Sequence, residues 1–303
     1  MRLVFAGTPA VAVPSLRELS ARHDVVAVIT RRDAELGRKR VLTPSPVATV
    51  AEELGIEVLK ANRLDDTISA RIRELEADLG TIVAYGGLLR EPLLSTPRLG
   101  WINLHFSLLP RWRGAAPVQR SVIAGESETG AAVFQVVREL DAGAVFSQLR
   151  HPVAPDATAG ELLDALSLSG ATLLADTVDA LAAGTAVAVP QTGEPTLAPK
   201  LGLADAQLDF TQPAEAVYAR LRGVTPEPGA FAVLDGERFK IHAARPAATE
   251  SLPPGRIEVR DHSVLVGTGT HPLELLTVQP AGKRAMAATD WWRGIAADAV
   301  VLS

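Results

Sequence analysis

The chain has no cysteine, which removes disulfides, cysteine nucleophiles and thiolate metal sites together. That absence fits a reducing cytosol, and a cytoplasmic protein is expected. Positive charge is not in excess either. There are 30 Lys and Arg against 35 Asp and Glu, so no global basic field draws the molecule to nucleic acid or a membrane. Any anionic partner must be met by a local patch. No run of about 18 uncharged apolar residues occurs, and the opening Met1 to Gly7 is too short for a signal-peptide core. A soluble protein without a membrane span is expected, with Leu3 to Ala6 as its first strand.

Several familiar motifs are missing too. Gly7-Thr8-Pro9 stands where phosphate-binding loops sit, but the chain has neither G-x-G-x-x-G nor a Walker lysine there. It reads as a tight turn with proline starting a helix. No G-x-S-x-G elbow supports a hydrolase built from Ser107, His105 and Asp141. The six histidines are scattered and none forms H-E-x-x-H, so no metal site is expected. There is no internal repeat and no low-complexity tract.

What is present is enough chain, 303 residues of which 47% are hydrophobic, for two domains with well-packed interiors. In the first half, short apolar runs (Leu3 to Ala6, Val25 to Ile29, Glu57 to Leu59, Gly80 to Ala84, Trp101 to Phe106) alternate with helical patterns near 10–21, 47–54 and 67–75. That alternation predicts an α/β domain, a Rossmann-like doubly wound and mostly parallel sheet covered by helices. A long helix follows over Ala159 to Ala183, with Gly170 as a candidate break. From Gly184, Gly, Pro and Thr become frequent, which marks a linker. The remainder has one helix, Ala214 to Leu221, and five short β-like runs between Ala230 and Val278, with Asp235-Gly236 as a hairpin turn. That pattern suggests a small OB-like β-barrel. The expected division is 1–189, a linker over 190–206, and 207–303.

The stretch Trp101 to Pro117 sets Asn103, His105 and Ser107 on one face of a strand and Ile102, Leu104 and Phe106 on the other. Downstream, Leu140-Asp141-Ala142-Gly143 puts a carboxylate in a turn between the apolar runs 131–137 and 144–149. An Asn and a His near a strand end are commonly hydrogen-bonded structural residues, and Asp before Gly is an ordinary turn former. Yet an Asn N–H and a His N–H side by side can both aim at one oxygen, as a tetrahedral acyl-transfer intermediate requires. Both apolar segments also end in Gly- and Pro-containing loops, where a rigid sheet carries catalytic groups. The densest positive run is 31–40, with five cations against two acids in a connection after the second strand. Such a run is usually just solvated. On that edge of the sheet it could also grip a phosphate backbone.

These residues together resemble the methionyl-tRNA formyltransferase family of folate-dependent formyltransferases, over essentially the whole chain. The likeness runs through Phe5-Ala6-Gly7-Thr8-Pro9, Thr43-Pro44-Ser45-Pro46-Val47, Val83-Ala84-Tyr85-Gly86 and Asn103-Leu104-His105. It continues through Ser107 to Pro117, Leu140 to Gly143, and the closing Gln279 to Met286. The resemblance implies a pocket for 10-formyltetrahydrofolate, the formyl donor, bordered by Val83, Ala84, Tyr85, Gly86 and Gly87 and by Ser107, Leu108, Leu109 and Pro110. Backbone groups there would read the pterin edge while Leu108 and Leu109 cover its faces. It implies initiator methionyl-tRNA as acceptor, with Asn103 and His105 stabilising the oxyanion. Asp141 would raise the proton affinity of His105 and relay a proton. Arg38 is the expected tRNA contact, with Lys39 and Arg40 beside it and a cluster of Arg222, Lys283 and Arg284 in the C-terminal domain. A monomer without metal is implied.

Two departures from the family pattern stand out. The connection after the second strand reads Arg32-Asp33-Ala34-Glu35-Leu36-Gly37-Arg38, and Pro226-Glu227-Pro228 lacks the aromatic often found between two prolines. From Gln207 onward there are ten Lys and Arg against eleven Asp and Glu, so RNA binding there would need a local cluster. Two rivals remain open. One is formyl transfer to a small amine such as an amino sugar or a glycinamide ribotide, which predicts activity without tRNA. The other is a non-catalytic RNA-binding adaptor, which predicts no folate binding.

Overall fold

Short aliphatic runs form strands here and the longer amphipathic stretches between them form helices, as their periods require. The structure, a computed structural model, describes residues 1–37, 40–295 and 300–303. The chain forms two compact units, Met1–Pro117 with Thr129–Pro152 and Leu163–Ala198, and Val118–Glu128 with Val153–Leu162 and Pro199–Ser303.

In the first unit the strands are β1 (Arg2–Gly7), β2 (Asp24–Thr30), β3 (Ala34–Leu36), β4 (Val41–Thr43), β5 (Glu57–Lys60) and β6 (Leu79–Val83). They continue as β7 (Trp101–His105), β8 (Arg113–Gly114), β9 (Glu128–Gln135), β10 (Val145–Pro152) and β11 (Leu197–Ala198). The helices are α1 (Val13–Arg22), α2 (Pro46–Glu53), α3 (Asp66–Glu74) and most of α5 (Ala159–Ala182), while α4 (Pro117–Ile123) falls almost wholly in the second unit. The main sheet runs β10-β9-β7-β6-β1-β2-β5. Strands β5, β2, β1, β6 and β7 are parallel, and β9 joins β7 antiparallel. The chain winds one way from β1 through β2 to β5 and the other way from β6 to β7. The strand order therefore reverses between β1 and β6, and the carboxyl ends there form the crevice where open α/β sheets hold ligands.

Helix α5 is unbroken at Gly170. Glycine serves there as a contact surface, because a Cβ would press within 3.0 Å of the Leu104 side chain. By length and composition α5 could cross a membrane, but its Leu166, Leu174 and Val178 are buried in the fold, and Asp176 and Asp179 bind Arg22 of α1. The strand β7 stops at His105, so Ser107 does not continue its alternation. Ser107 is fully buried and its hydroxyl donates to the Arg111 carbonyl (2.6 Å).

In the second unit β12 (Phe231–Leu234), β13 (Glu237–Pro246), β14 (Arg256–Arg260), β15 (Ser263–Val266), β16 (Leu273–Gln279), β17 (Met286–Ala287) and β18 (Val300–Val301) accompany α6 (Ala214–Gly223) and α7 (Ala288–Arg293). The sheet is antiparallel, in the order β12-β13-β16-β15-β14-β18, with β17 on β16. Asp235 (φ +52°) and Gly236 (φ +81°) make the β12–β13 hairpin turn. The expected barrel is not closed by a ladder among the described residues. Its two edges meet where Val233 and Ser303 exchange backbone hydrogen bonds of 2.6 and 3.0 Å. Phe239, Ile241, Val264 and Trp291 pack with Val217 and Leu221 of α6 into the core.

The division differs from three consecutive segments. Residues 118–128 and 153–162 belong to the second unit: Arg120 pairs with Asp205 at 3.1 Å, and the Gly160 N–H donates to the Thr225 carbonyl at 3.0 Å. The stretch 190–206 is not a free tether. Leu197–Ala198 pairs in parallel with Arg113–Gly114 in the first unit.

Candidate active site

Parallel pairing sets Asn103 beside Ile82 of β6, and antiparallel pairing sets it opposite Phe134 and His105 opposite Ala132 of β9. Residues two apart share a face, so Asn103 and His105 project together at the carboxyl end of β7. The Asn103 side chain is half-buried and has no hydrogen-bond partner among the described residues. Its carboxamide therefore keeps both N–H donors available. The His105 ring is buried, edge-on to Phe134 with 6.3 Å between centroids.

His105 Nε2 lies 2.8 Å from the Trp112 carbonyl oxygen. A carbonyl only accepts, so Nε2 carries the proton and the neutral ring leaves its lone pair on Nδ1. Asp141 Oδ2 stands 3.8 Å from Nδ1, outside hydrogen-bond distance but close enough to act as a charge. Burial pushes the imidazole below its ordinary value of 6.5, more than Asp141 and the Trp112 carbonyl pull it up. The expected raised value is thus overturned. Removing the ring from water disfavours its charged form more than one carboxylate at that distance restores it.

Asp141 is held tightly. It adopts a left-handed backbone (φ +47°) that Asp tolerates better than most residues, and its Oδ2 accepts from the Gly114 N–H at 2.8 Å. Glycine is required on both sides of this contact. A Cβ on Gly114 would come within 2.6 Å of the Ala198 carbonyl oxygen, and one on Gly143 would overlap the Gln135 carbonyl.

The two loops expected to border the folate are neighbours, because Val83 at the end of β6 is registered against Leu104 of β7. Val83 is buried; Ala84 is exposed at φ +49°, and Gly86 is exposed at φ +73°. Tyr85 turns inward, its hydroxyl donating to the Ala61 carbonyl at 2.9 Å and its ring facing Arg31. The Tyr85 and Gly86 carbonyls accept from Arg31. Gly87 packs on the Tyr85 ring. On the other loop Leu108 is half-buried over Gly130, whereas Leu109 is buried with Ala132, Phe134 and Val145. Leu109 thus packs into the core. Pro110 is half-buried.

Of the expected RNA contacts, Arg38 and Lys39 lie outside the described residues. Arg40 is exposed and its Nε is 2.6 Å from Glu35, in the hairpin of β3 and β4. Lys60 anchors that hairpin's root through Asp33 at 2.8 Å. Lys283 and Arg284 are exposed in the turn after β16. Arg222 is buried: it stacks over Tyr218 and donates to the Ala157 carbonyl at 3.0 Å. Burial and that bond fix it inside the second unit, which removes it from any phosphate contact. Among the described residues, no group of three or more His, Asp or Glu side chains is placed to hold a metal ion.

Sequence reasoning missed the backbone partners, the Trp112 carbonyl and the Gly114 N–H. It also missed Gln191 and Thr196, which lie far along the chain and carry no signal in their residue types.

A formyl transferase family model matches residues 1–178, and a model of the formyl transferase C-terminal domain matches residues 200–296. A protein of Leifsonia xyli subsp. xyli named methionyl-tRNA formyltransferase is 69% identical over 301 residues, covering 99% of this chain and 100% of that protein. One of the same name from Thermobifida fusca is 53% identical over 298 residues, 97% of this chain and 96% of that protein. Among solved structures, an N-formyltransferase from Helicobacter canadensis in complex with folinic acid and dTDP-3-aminofucose has the same fold. Its TM-score is 0.70 at 17% identity, over 92% of this chain and 98% of that one. Both halves of the sequence match the same family's models, and the likeness runs end to end. The chain belongs to the formyl transferase family.

Proposed function

We propose that this protein transfers the formyl group of 10-formyltetrahydrofolate to the free amino group of methionyl-initiator-tRNA, giving the N-formylmethionyl-tRNA that starts translation. The end-to-end likeness to methionyl-tRNA formyltransferases, 69% over 301 residues, carries this reading. The residues fit a folate donor. The β1–β6 crevice, the exposed backbone of Ala84 and Gly86 and the half-buried Leu108 offer polar edges beside one apolar cover. The donor supplies a formyl carbon open to attack by an amine.

Asn103 donates its carboxamide N–H to the oxyanion formed at that carbon, a contribution of about 3 kcal/mol. His105 acts as base rather than as charged donor, because it is neutral at neutral pH and its Nε2–H is engaged by Trp112. Its Nδ1 takes the proton that the attacking amine must lose and returns it to the departing folate nitrogen. Asp141 faces the imidazolium that forms in between and offsets its charge.

The tRNA meets a local cluster on the second unit's sheet. Arg238 and Lys240 on β13 and Lys283 and Arg284 after β16 are exposed or half-exposed, and Lys240 is registered against Gln279. None of the four has an ion-pair partner among the described residues. Arg40, exposed in the β3–β4 hairpin of the first unit, is a further proposed tRNA contact, with Arg38 and Lys39 proposed from the sequence alone. The protein works as a cytoplasmic monomer, where charged tRNA is made and used.

Incubation with 10-formyltetrahydrofolate and methionyl-tRNA charged with labelled methionine tests this reading. Formylmethionine on the initiator tRNA is expected. Formylation of an amino-sugar nucleotide with none of methionyl-tRNA would overturn it.

A further inference from the structure

Both groups that His105 faces are held by a strip of chain after α5 that has no evident chemistry of its own. Gln191 Nε2 donates to the backbone carbonyls of Asp141 and Gly143, each at 2.8 Å. Its Oε1 accepts from Arg113 Nη2 (2.6 Å) and Nε (3.2 Å). The amide cannot be turned over, because that would set its oxygen against two carbonyls and its NH₂ against a guanidinium. Further along the same strip, Thr196 Oγ1 accepts the Trp112 N–H and its carbonyl accepts the Arg113 N–H, both at 2.8 Å. Trp112 supplies the carbonyl bonded to His105, and Asp141 supplies the facing carboxylate.

We propose that Gln191 is a positioning residue for the transfer: it ties the Asp141 turn to Arg113 and so sets where the two partners of His105 stand. This rests on the reading that Asn103, His105 and Asp141 carry the chemistry. Gln191 itself bonds neither the imidazole nor the Asp141 carboxylate. Its effect is geometric, through a turn whose left-handed Asp141 needs outside support. Without that tie the Asp141 turn loses its backbone anchor to Arg113, and among the described residues only the Gly114 N–H bond to the carboxylate still holds Asp141 in place.

Two variants separate positioning from bulk. Gln191→Leu removes all four bonds at similar size. Gln191→Glu keeps the Arg113 partner but turns an oxygen toward the Asp141 and Gly143 carbonyls. Both are expected to lower kcat about tenfold or more, since displacing a reacting group by about 1 Å can cost about a hundredfold. KM for folate and for tRNA should stay within about twofold. The acid limb of kcat should move to lower pH as Asp141 withdraws from the imidazole. NMR titration of His105 in the Glu variant reads the same displacement, without requiring turnover or the Leu variant. An unchanged kcat and pH profile, or a lower kcat with the His105 titration unmoved, would overturn the proposal. His105→Ala and Asp141→Asn run alongside. Full activity in those two would instead sink the reading of the site on which it rests.

Discussion

Burial and charge pull the His105 imidazole in opposite directions, and the outcome decides its role. Water exclusion by Phe134 and the surrounding strands lowers its proton affinity more than Asp141 raises it. With the neutral ring as the proposed base, its contribution persists as pH falls through 6.5 and is lost only below that. Asp141→Asn removes the raising charge. The acid limb of kcat then moves to still lower pH, and the plateau falls by about 10- to 100-fold as the imidazolium loses its counter-charge. Comparing kcat against pH in the two proteins checks this, because the acceptor amine titrates alike in both. A limb that moves upward contradicts it. The pairing of Asn103 with His105 was legible from the two-residue strand period. The charge state was not, since desolvation depends on packing by residues such as Phe134 that lie on another strand. Arg222 misled for a related reason: a cation in a helix's last turn reads as a surface contact until its stacking on Tyr218 is seen.

The strands and helices of the first unit follow the aliphatic runs closely, because a parallel sheet buried on both faces demands continuous apolar strands. Close approach between neighbouring strands is what the pattern conceals. Gly80 of β6 lies against the Trp101 ring of β7, and a Cβ there would overlap the indole, whose Nε1–H donates to the buried Leu93 carbonyl at 2.9 Å. Gly80→Ala should destabilise the protein by about 1–3 kcal/mol or more, read as a lower midpoint of urea unfolding. A midpoint at the native value would contradict the packing described. The β3–β4 hairpin and the β8–β11 pair were missed because each strand is three residues or fewer, too short for periodicity to register. The stretch around Gln191 was misread for a different reason. Its Gly and Pro content is that of a linker, but its hydrogen bonds make it part of the first unit.

At the scale of the whole molecule a net charge of −5 and an anionic substrate must be reconciled. A local cluster does so if its cations face solvent unpaired, as Arg238, Lys240, Lys283 and Arg284 do among the described residues. Replacing Lys283 and Arg284 by Ala should raise KM for tRNA and flatten the fall of log kcat/KM with log salt by about 0.7–0.9 for each phosphate that is no longer neutralised. KM for folate should not change. An unaltered salt slope would remove this turn from the interface. In the proposed mechanism Asn103 stabilises the oxyanion. Single-turnover formylation of initiator methionyl-tRNA by native protein and by Asn103→Ala, with both substrates saturating, tests that role most directly. The variant should be slower by about 100-fold or more with folate and tRNA dissociation constants unchanged. A native rate in the variant would contradict the site, and an absence of formylmethionine with the native protein would contradict the function.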